Sequence, residues 1–322
     1  MNNKDIKRFS FSRFKTYHTC PRKHYYTYVE QVEEPESEAL IVGSLWHEAI
    51  AAVYDQRPND VKTICQTFED ACRKGVIKLE PDTLEHVLTQ FLIYYAEDFK
   101  EEKPLVIEKE ITEDLEDGDT LVAIMDLIYK KGIHNTLRDY KTTLNRLKYK
   151  MDDVEINQQL LFYVPYGEQL IQEKIDAIEI QEIKIAKLDP VPVNANGKPS
   201  TDKRRLANVT YEAFYDYLAS IGIEDDPKYQ EILDYLEERG HPLFNRVTFQ
   251  VLDINMIDTN IEDLYATYHA AKNPENKYRV RGPLCNYCGF KELCKLDMFN
   301  PNDVDRNAIK DKILMTKPSD DE

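Results

Sequence analysis

The sequence predicts an α/β protein in which helices flank a central mixed β-sheet. Two observations carry this expectation. Apolar residues recur at helical spacing through most of the first hundred positions. The period then shortens to two over residues 105–141, and again over 176–188, as strands require.

The elements follow in order. Ser12 is a candidate N-cap for a helix carrying Phe14 and Tyr17, and Pro21 can open a second helix at its first turn. Residues 39–54 read as a helix with Leu40, Gly43, His47, Ile50 and Tyr54 at helical spacing. Two more helices are expected at 61–74 and 82–99. Leu105, Ile107 and Ile111 alternate with Glu108 and Glu110, so 105–112 is a strand with the two acids on one face. A turn at 116–119, a strand over 120–130, a turn at Lys131-Gly132 and a strand over 133–141 complete a meander. A helix is expected at 152–164, capped by Asp152 or Asp153 and ended or kinked by Pro165. The strand at 176–188 comes next, then a loop or hairpin tip at 189–206 rich in Pro, Asn and Gly. Helices at 209–219 and 226–238, a short strand at 246–255 and a helix at 257–271 follow. The chain divides on paper into a helical N-terminal region (1–104), a strand-rich core (105–190), a helical C-terminal region with a cysteine cluster (191–300) and a tail (301–322), all within one integrated domain.

Composition bounds the function. The 322 residues are 42% hydrophobic and 31% charged, which is the balance of a folded globular chain. The longest apolar runs are too short for a membrane span and no signal-peptide pattern opens the chain, so a cytoplasmic protein without a membrane partner is expected. The net charge of −17 argues against a passive nucleic-acid coat. Charge is uneven, however. Residues 138–150 hold five basic residues and one acid, Arg13, Lys15, Arg22 and Lys23 form a second basic group, and Lys203-Arg204-Arg205 a third.

The chemistry centres on Asp126, alone in an apolar strand, and on Asp139-Tyr140-Lys141, thirteen residues later. A carboxylate among apolar neighbours needs a cation or donors nearby. Two acids and the Tyr140 carbonyl offer the hard oxygen ligands that magnesium or manganese takes. Lys141 shares a strand face with Asp139 and can stabilise developing negative charge. Taken alone, Asp139 and Lys141 are equally an ordinary strand-end ion pair. His47 can join as an imidazole ligand, and Gln159 and Tyr163 share one helix face, where both can donate hydrogen bonds.

Six cysteines are present. Cys65 and Cys72 read as buried small side chains of a helix. Cys285-x2-Cys288-x5-Cys294 supplies three local sulfur ligands and Cys20 a distant fourth. Four thiolates suit zinc or an iron–sulfur cluster, and spacing alone does not choose.

Together, Gly43-x3-His47, Asp126, Asp139-x-Lys141 and Gln159-x3-Tyr163 resemble the PD-(D/E)XK nuclease superfamily, and within it the RecB-type exonuclease branch that includes CRISPR adaptation nucleases. The opening Tyr17-His-Thr-Cys20-Pro and the late cysteines also look like that branch, whereas its eponymous Pro-Asp dipeptide is absent, since Met125 precedes Asp126. The resemblance implies a restriction-endonuclease-like core. It implies a magnesium- or manganese-dependent deoxyribonuclease, an exonuclease of recombination, repair or phage or CRISPR-related DNA processing. It assigns His47, Asp126, Asp139 and the carbonyl of Tyr140 to the metal, Lys141 to the attacking water, and Gln159 and Tyr163 to support of the site, with Glu110 as an outer acid. It implies a [4Fe–4S] cluster on Cys20, Cys285, Cys288 and Cys294, in preference to zinc, as a clasp joining the two chain ends. The implied partner is DNA with a free end or single-stranded segment, and any helicase, recombinase or CRISPR adaptation partner would be a separate chain, because no phosphate-binding loop is present. The rival reading is a non-catalytic DNA-binding or assembly subunit that keeps the fold.

Overall fold

A computed structural model describes residues 7–299 apart from 35, 116–117, 252–253 and 274; the expected tail at 301–322 and half of the 116–119 turn lie outside the described residues. The chain opens with β1 (Arg8–Ser10), α1 (Phe11–Thr19), α2 (Pro21–His24) and a π-helical turn at Tyr25–Val29. Four helices follow: α3 (Glu38–Tyr54), α4 (Pro58–Arg73), α5 (Thr83–Tyr94) and α6 (Ala96–Glu101). The meander is β2 (Lys103–Asp114), β3 (Thr120–Lys131) and β4 (His134–Thr143). Next come α7 (Met151–Glu155), α8 (Gln158–Ile171), β5 (Ala177–Lys184), α9 (Tyr211–Ser220), α10 (Pro227–Arg239), β6 (Phe244–Gln250), α11 (Ile254–Lys272) and α12 (Lys291–Phe299).

The six strands form one mixed sheet. β2, β3 and β4 pair antiparallel as the meander predicts, with Gly132 at φ +62 in the β3–β4 turn, where only a residue without Cβ turns freely. β4 pairs parallel with β5, across the α8 crossover, and β5 pairs antiparallel with β6. β1 runs parallel to the first residues of β3. The sheet therefore draws strands from both sides of the expected 105–190 core. The three residues of β1 are too few for periodicity to reveal.

Each face of the sheet has its own core. On one face, Phe14, Leu160, Phe162, Leu264 and Tyr268 of α1, α8 and α11 pack on Met125, Ile128, Leu137 and Ile178. On the other, Val42, Trp46, Ile50, Phe68 and Phe91 of α3, α4 and α5 pack on Leu127, Tyr129, Tyr140 and Ile183. Fully burying side chains of this size contributes roughly 1.5–3 kcal/mol each, so these two layers dominate stability. A third cluster, with Leu206, Phe214, Tyr229 and Leu236, organises the segment between β5 and β6.

Two expected helices are interrupted. The 82–99 segment breaks at the buried Tyr95, which leaves helical geometry to pack on Phe91 and Phe244 and to accept a hydrogen bond from Gln181 at 2.9 Å. The 152–164 segment breaks before Asn157, whose side chain caps α8 by accepting from the Leu160 amide at 3.0 Å. Pro165 then sits inside α8, which runs on to Ile171.

Candidate metal centre

The site forms where β3 and β4 separate. Their ladder runs from Lys131/His134 to Leu127/Arg138 and ends there. One step further in the same register, Asp126 and Asp139 stand on diverging strands. The Asp126 Oδ2 accepts the backbone N–H of Tyr140 at 2.7 Å in place of a ladder bond. Beyond that point β1, not β4, pairs with β3.

A second irregularity lies on the other side of β3. Glu108 takes φ +42, a left-handed conformation costly for a glutamate, roughly 1–3 kcal/mol. Pairs Ile107–Leu127 and Lys109–Met125 place Glu108 opposite Asp126. The alternation slips by one residue on both strands at this level. Ile107 and Leu127 join the core under α3, whereas Ile111 and Met125 join the core under α8. The expectation that Leu105, Ile107 and Ile111 share one face is therefore corrected. So is the outer acid: Glu108, not Glu110, faces the centre, and Glu110 pairs with Arg8 at 2.8 Å.

His47 reaches this point from α3. A Cβ on Gly43 would lie 3.2 Å from Thr142 Oγ1, so the glycine lets α3 cross β4 closely, one turn before His47. The His47 Nδ1 lies 3.1 Å from Glu108 Oε1 and 3.5 Å from Asp126 Oδ2. One donor atom from each of His47, Glu108 and Asp126 falls within 4.8 Å of the others, and among the described residues this is the one such group of histidine, cysteine and acid side chains.

Asp139 lies beside this group and outside it. Its Oδ1 accepts from the Lys141 Nζ at 3.0 Å, and its buried Oδ2 lies 2.7 Å from the same ammonium. The Lys141 ammonium also donates to Gln159 Oε1 at 2.9 Å, and Gln159 Nε2 donates to the Tyr163 hydroxyl at 3.2 Å. The α8 side of the sheet thus supplies Lys141, Gln159 and Tyr163 in one chain of contacts, and the α3 side supplies His47. Tyr140 is buried, and its ring faces the α3 core.

Electrostatics follow from burial and crowding. Burial, with Asp126 nearby, pushes the Asp139 carboxyl up to about 6 against the pull of Lys141. Burial works against the Asp126 charge too, but His47, Lys141 and the Tyr140 N–H hold its carboxyl below the usual range. Burial disfavours a charged His47, yet Asp126 and Glu108 lift it well above an ordinary imidazole. Lys141 is likewise held as an ammonium by Asp139 and Asp126 despite its burial. Three carboxylates outnumber the two cations, the Lys141 ammonium and a protonated His47, by one charge. That excess of negative charge and the oxygen-rich donor set of Glu108 and Asp126 beside His47 fit a hard divalent cation.

Two members of the basic groups are buried. Arg138 is buried against Glu102, at 2.6 Å, and against Glu179, within the α3 face. Arg13 is buried over the Phe9 ring at 3.7 Å and donates to His24. Arg146, Lys148 and Lys150 stay exposed beyond β4.

The four singled-out cysteines share one place. Cys20, Cys285, Cys288 and Cys294 line a single cavity of about 460 Å³. The chain ends are tied around it: Tyr26 donates to Asp297 at 2.5 Å, the Gly289 amide donates to Glu34 at 3.0 Å, and Tyr26 and Val32 pack on Phe290 and Leu293. Cys65 and Cys72 lie apart on α4, as a helix over these residues predicts, but half-buried rather than buried.

A family model of the PD-(D/E)XK nuclease superfamily matches residues 8–295. A search of curated proteins finds no match. With a mixed sheet of the restriction-endonuclease kind, split at an acid pair, and a match that spans most of its length, the chain belongs to the PD-(D/E)XK nuclease superfamily.

Proposed function

We propose that this chain is a magnesium- or manganese-dependent DNA exonuclease that hydrolyses phosphodiester bonds. The observation that carries the reading is the convergence of His47, Glu108 and Asp126 within 4.8 Å, with Asp139 and Lys141 beside them. His47, Glu108 and Asp126 would hold the cation, with Asp139 and the Tyr140 carbonyl as further candidate ligands. A divalent cation bound there supplies positive charge to the scissile phosphate and lowers the pKa of water.

The protein's own groups do the rest. Lys141, held protonated, offers an ammonium to the oxygens that gain charge as the bond breaks. Asp139 and Gln159 fix that ammonium from two sides, so it need not reorganise during the reaction. Tyr163 fixes Gln159 in turn. Asp126 and the Tyr140 amide hold β3 and β4 at a set separation, which keeps both acids at one end of the cleft.

We also propose that the cysteine cavity holds a [4Fe–4S] cluster. No three cysteine sulfurs among the described residues lie within 4.8 Å of one another. Sulfurs around a tetrahedral zinc at about 2.3 Å would lie about 3.8 Å apart. A shared cavity of about 460 Å³ has room for a group larger than one zinc ion.

End-labelled linear DNA tests the enzymatic reading. Incubation with magnesium or manganese should release short products from an end, and EDTA should abolish them. Intact single- and double-stranded DNA under these conditions would support the non-catalytic alternative instead.

A further inference from the structure

Residues 277–287 interleave cations with large apolar side chains: Lys-Tyr-Arg-Val-Arg-Gly-Pro-Leu-Cys-Asn-Tyr. Four of these apolar side chains are exposed within ten residues, with Tyr287 88%, Leu284 67%, Tyr278 60% and Val280 45% accessible. A cluster of this kind on a surface marks an interaction site. Val280, Leu284 and Tyr287 line the cysteine cavity together with Arg281 and Lys291, and Tyr278 lies two residues before Val280. Neither Arg281 nor Lys291 meets a carboxylate among the described residues; Arg281 reaches only the Met298 sulfur, at 3.2 Å. On a chain of net charge −17, two cations without a carboxylate partner beside exposed tyrosines are available to an anionic partner.

We infer that this surface is a platform for single-stranded DNA, with bases stacked on Tyr287 and Tyr278 and phosphates met by Arg281 and Lys291. The inference rests on the DNA-processing reading above and deepens it. Single strands match both halves of the pattern, because they present phosphates and unstacked base faces together. A duplex presents the phosphates and hides the faces. The platform is braced: the Tyr278 carbonyl accepts the Arg22 amide at 3.0 Å, and the Cys285 amide donates to the Gly282 carbonyl at 3.0 Å.

Fluorescence anisotropy of the full chain, purified anaerobically, with a labelled oligothymidine tests this without added divalent metal. Tyr287→Ala and Tyr278→Ala should each weaken binding about tenfold, more for single strands than for duplex. The double variant Arg281→Ala/Lys291→Ala should lower the salt slope of log K by about 1.4. Ile133→Ala, which removes an equally exposed side chain from the β3–β4 turn, should change nothing. The exposed tyrosines carry no core packing, and unchanged thermal melting confirms that each variant is folded. Unchanged affinity in both tyrosine variants would overturn the inference. So would binding of anionic phospholipid vesicles that these variants lose while oligothymidine binding persists. DNA that binds in a tyrosine-dependent way and is never cut with magnesium or manganese would overturn the nuclease reading alone.

Discussion

Asp126 accepts the backbone N–H of Tyr140 at 2.7 Å, across the gap where β3 and β4 part. A carboxylate here takes the place of a ladder bond. It closes the sheet's loose end, and the same Oδ2 lies 3.5 Å from the His47 Nδ1. The same side chain thus serves strand separation and charge, which explains an acid within an apolar strand.

Glu108 should matter and Glu110 should not. Glu108→Gln removes one carboxylate of the converging group, and should weaken manganese binding by at least about tenfold. Glu110→Gln breaks only a half-exposed pair with Arg8 and should leave affinity unchanged. Calorimetric titration with manganese distinguishes them; equal effects would return Glu110 to the site.

Arg138 is expected to be structural. Arg138→Ala leaves Glu102 and Glu179 buried without their closest cation and should destabilise the fold by about 3–5 kcal/mol in urea denaturation. Arg204→Ala, at an exposed pair with Asp202, should change stability little.

Stability should also fall in mild acid. His241 stacks on Phe244 at 4.5 Å, and burial with Arg239 nearby pushes its imidazole down to about 4, outweighing the opposing pull of Glu212. The unfolded chain takes up this proton near 6.5, the folded chain only near 4. Stability is therefore lost as pH falls through that window and levels off below it. His241→Phe should flatten the melting temperature between these pH values relative to the wild type. An unaltered slope would assign the effect to other groups.

The cysteine clasp makes a separate prediction. Protein purified anaerobically should be brown and contain iron, and Cys20→Ala should lose both and melt at lower temperature. A colourless, iron-free wild type would remove the cluster from the account.

Much of this was legible in the sequence, for identifiable reasons. The β2–β3–β4 meander shows as period-two patterning, and Gly43 and His47 stand one helical turn apart on α3, as expected. Glu108 was not legible, because a slip of one residue in the alternation leaves no compositional mark. The resemblance pointed to Glu110 as the outer acid, whereas Glu108 joins His47 and Asp126. Arg138 counts in the sequence as part of a basic stretch, because its partners Glu102 and Glu179 are distant in sequence. The breaks at Tyr95 and Asn157 arise from tertiary packing in one case and a side-chain cap in the other. Of these only the cap has a local signal, an asparagine that precedes the apolar run.

The most direct test of the central claim is cleavage of end-labelled linear DNA by wild type, Asp126→Asn and Lys141→Ala with magnesium or manganese. Asp126→Asn nearly preserves shape and removes charge, so cleavage should fall by about two to three orders of magnitude while the fold persists. Lys141→Ala should lose a comparable factor through the missing ammonium. Metal-dependent cleavage that survives both substitutions at the wild-type rate would contradict the account.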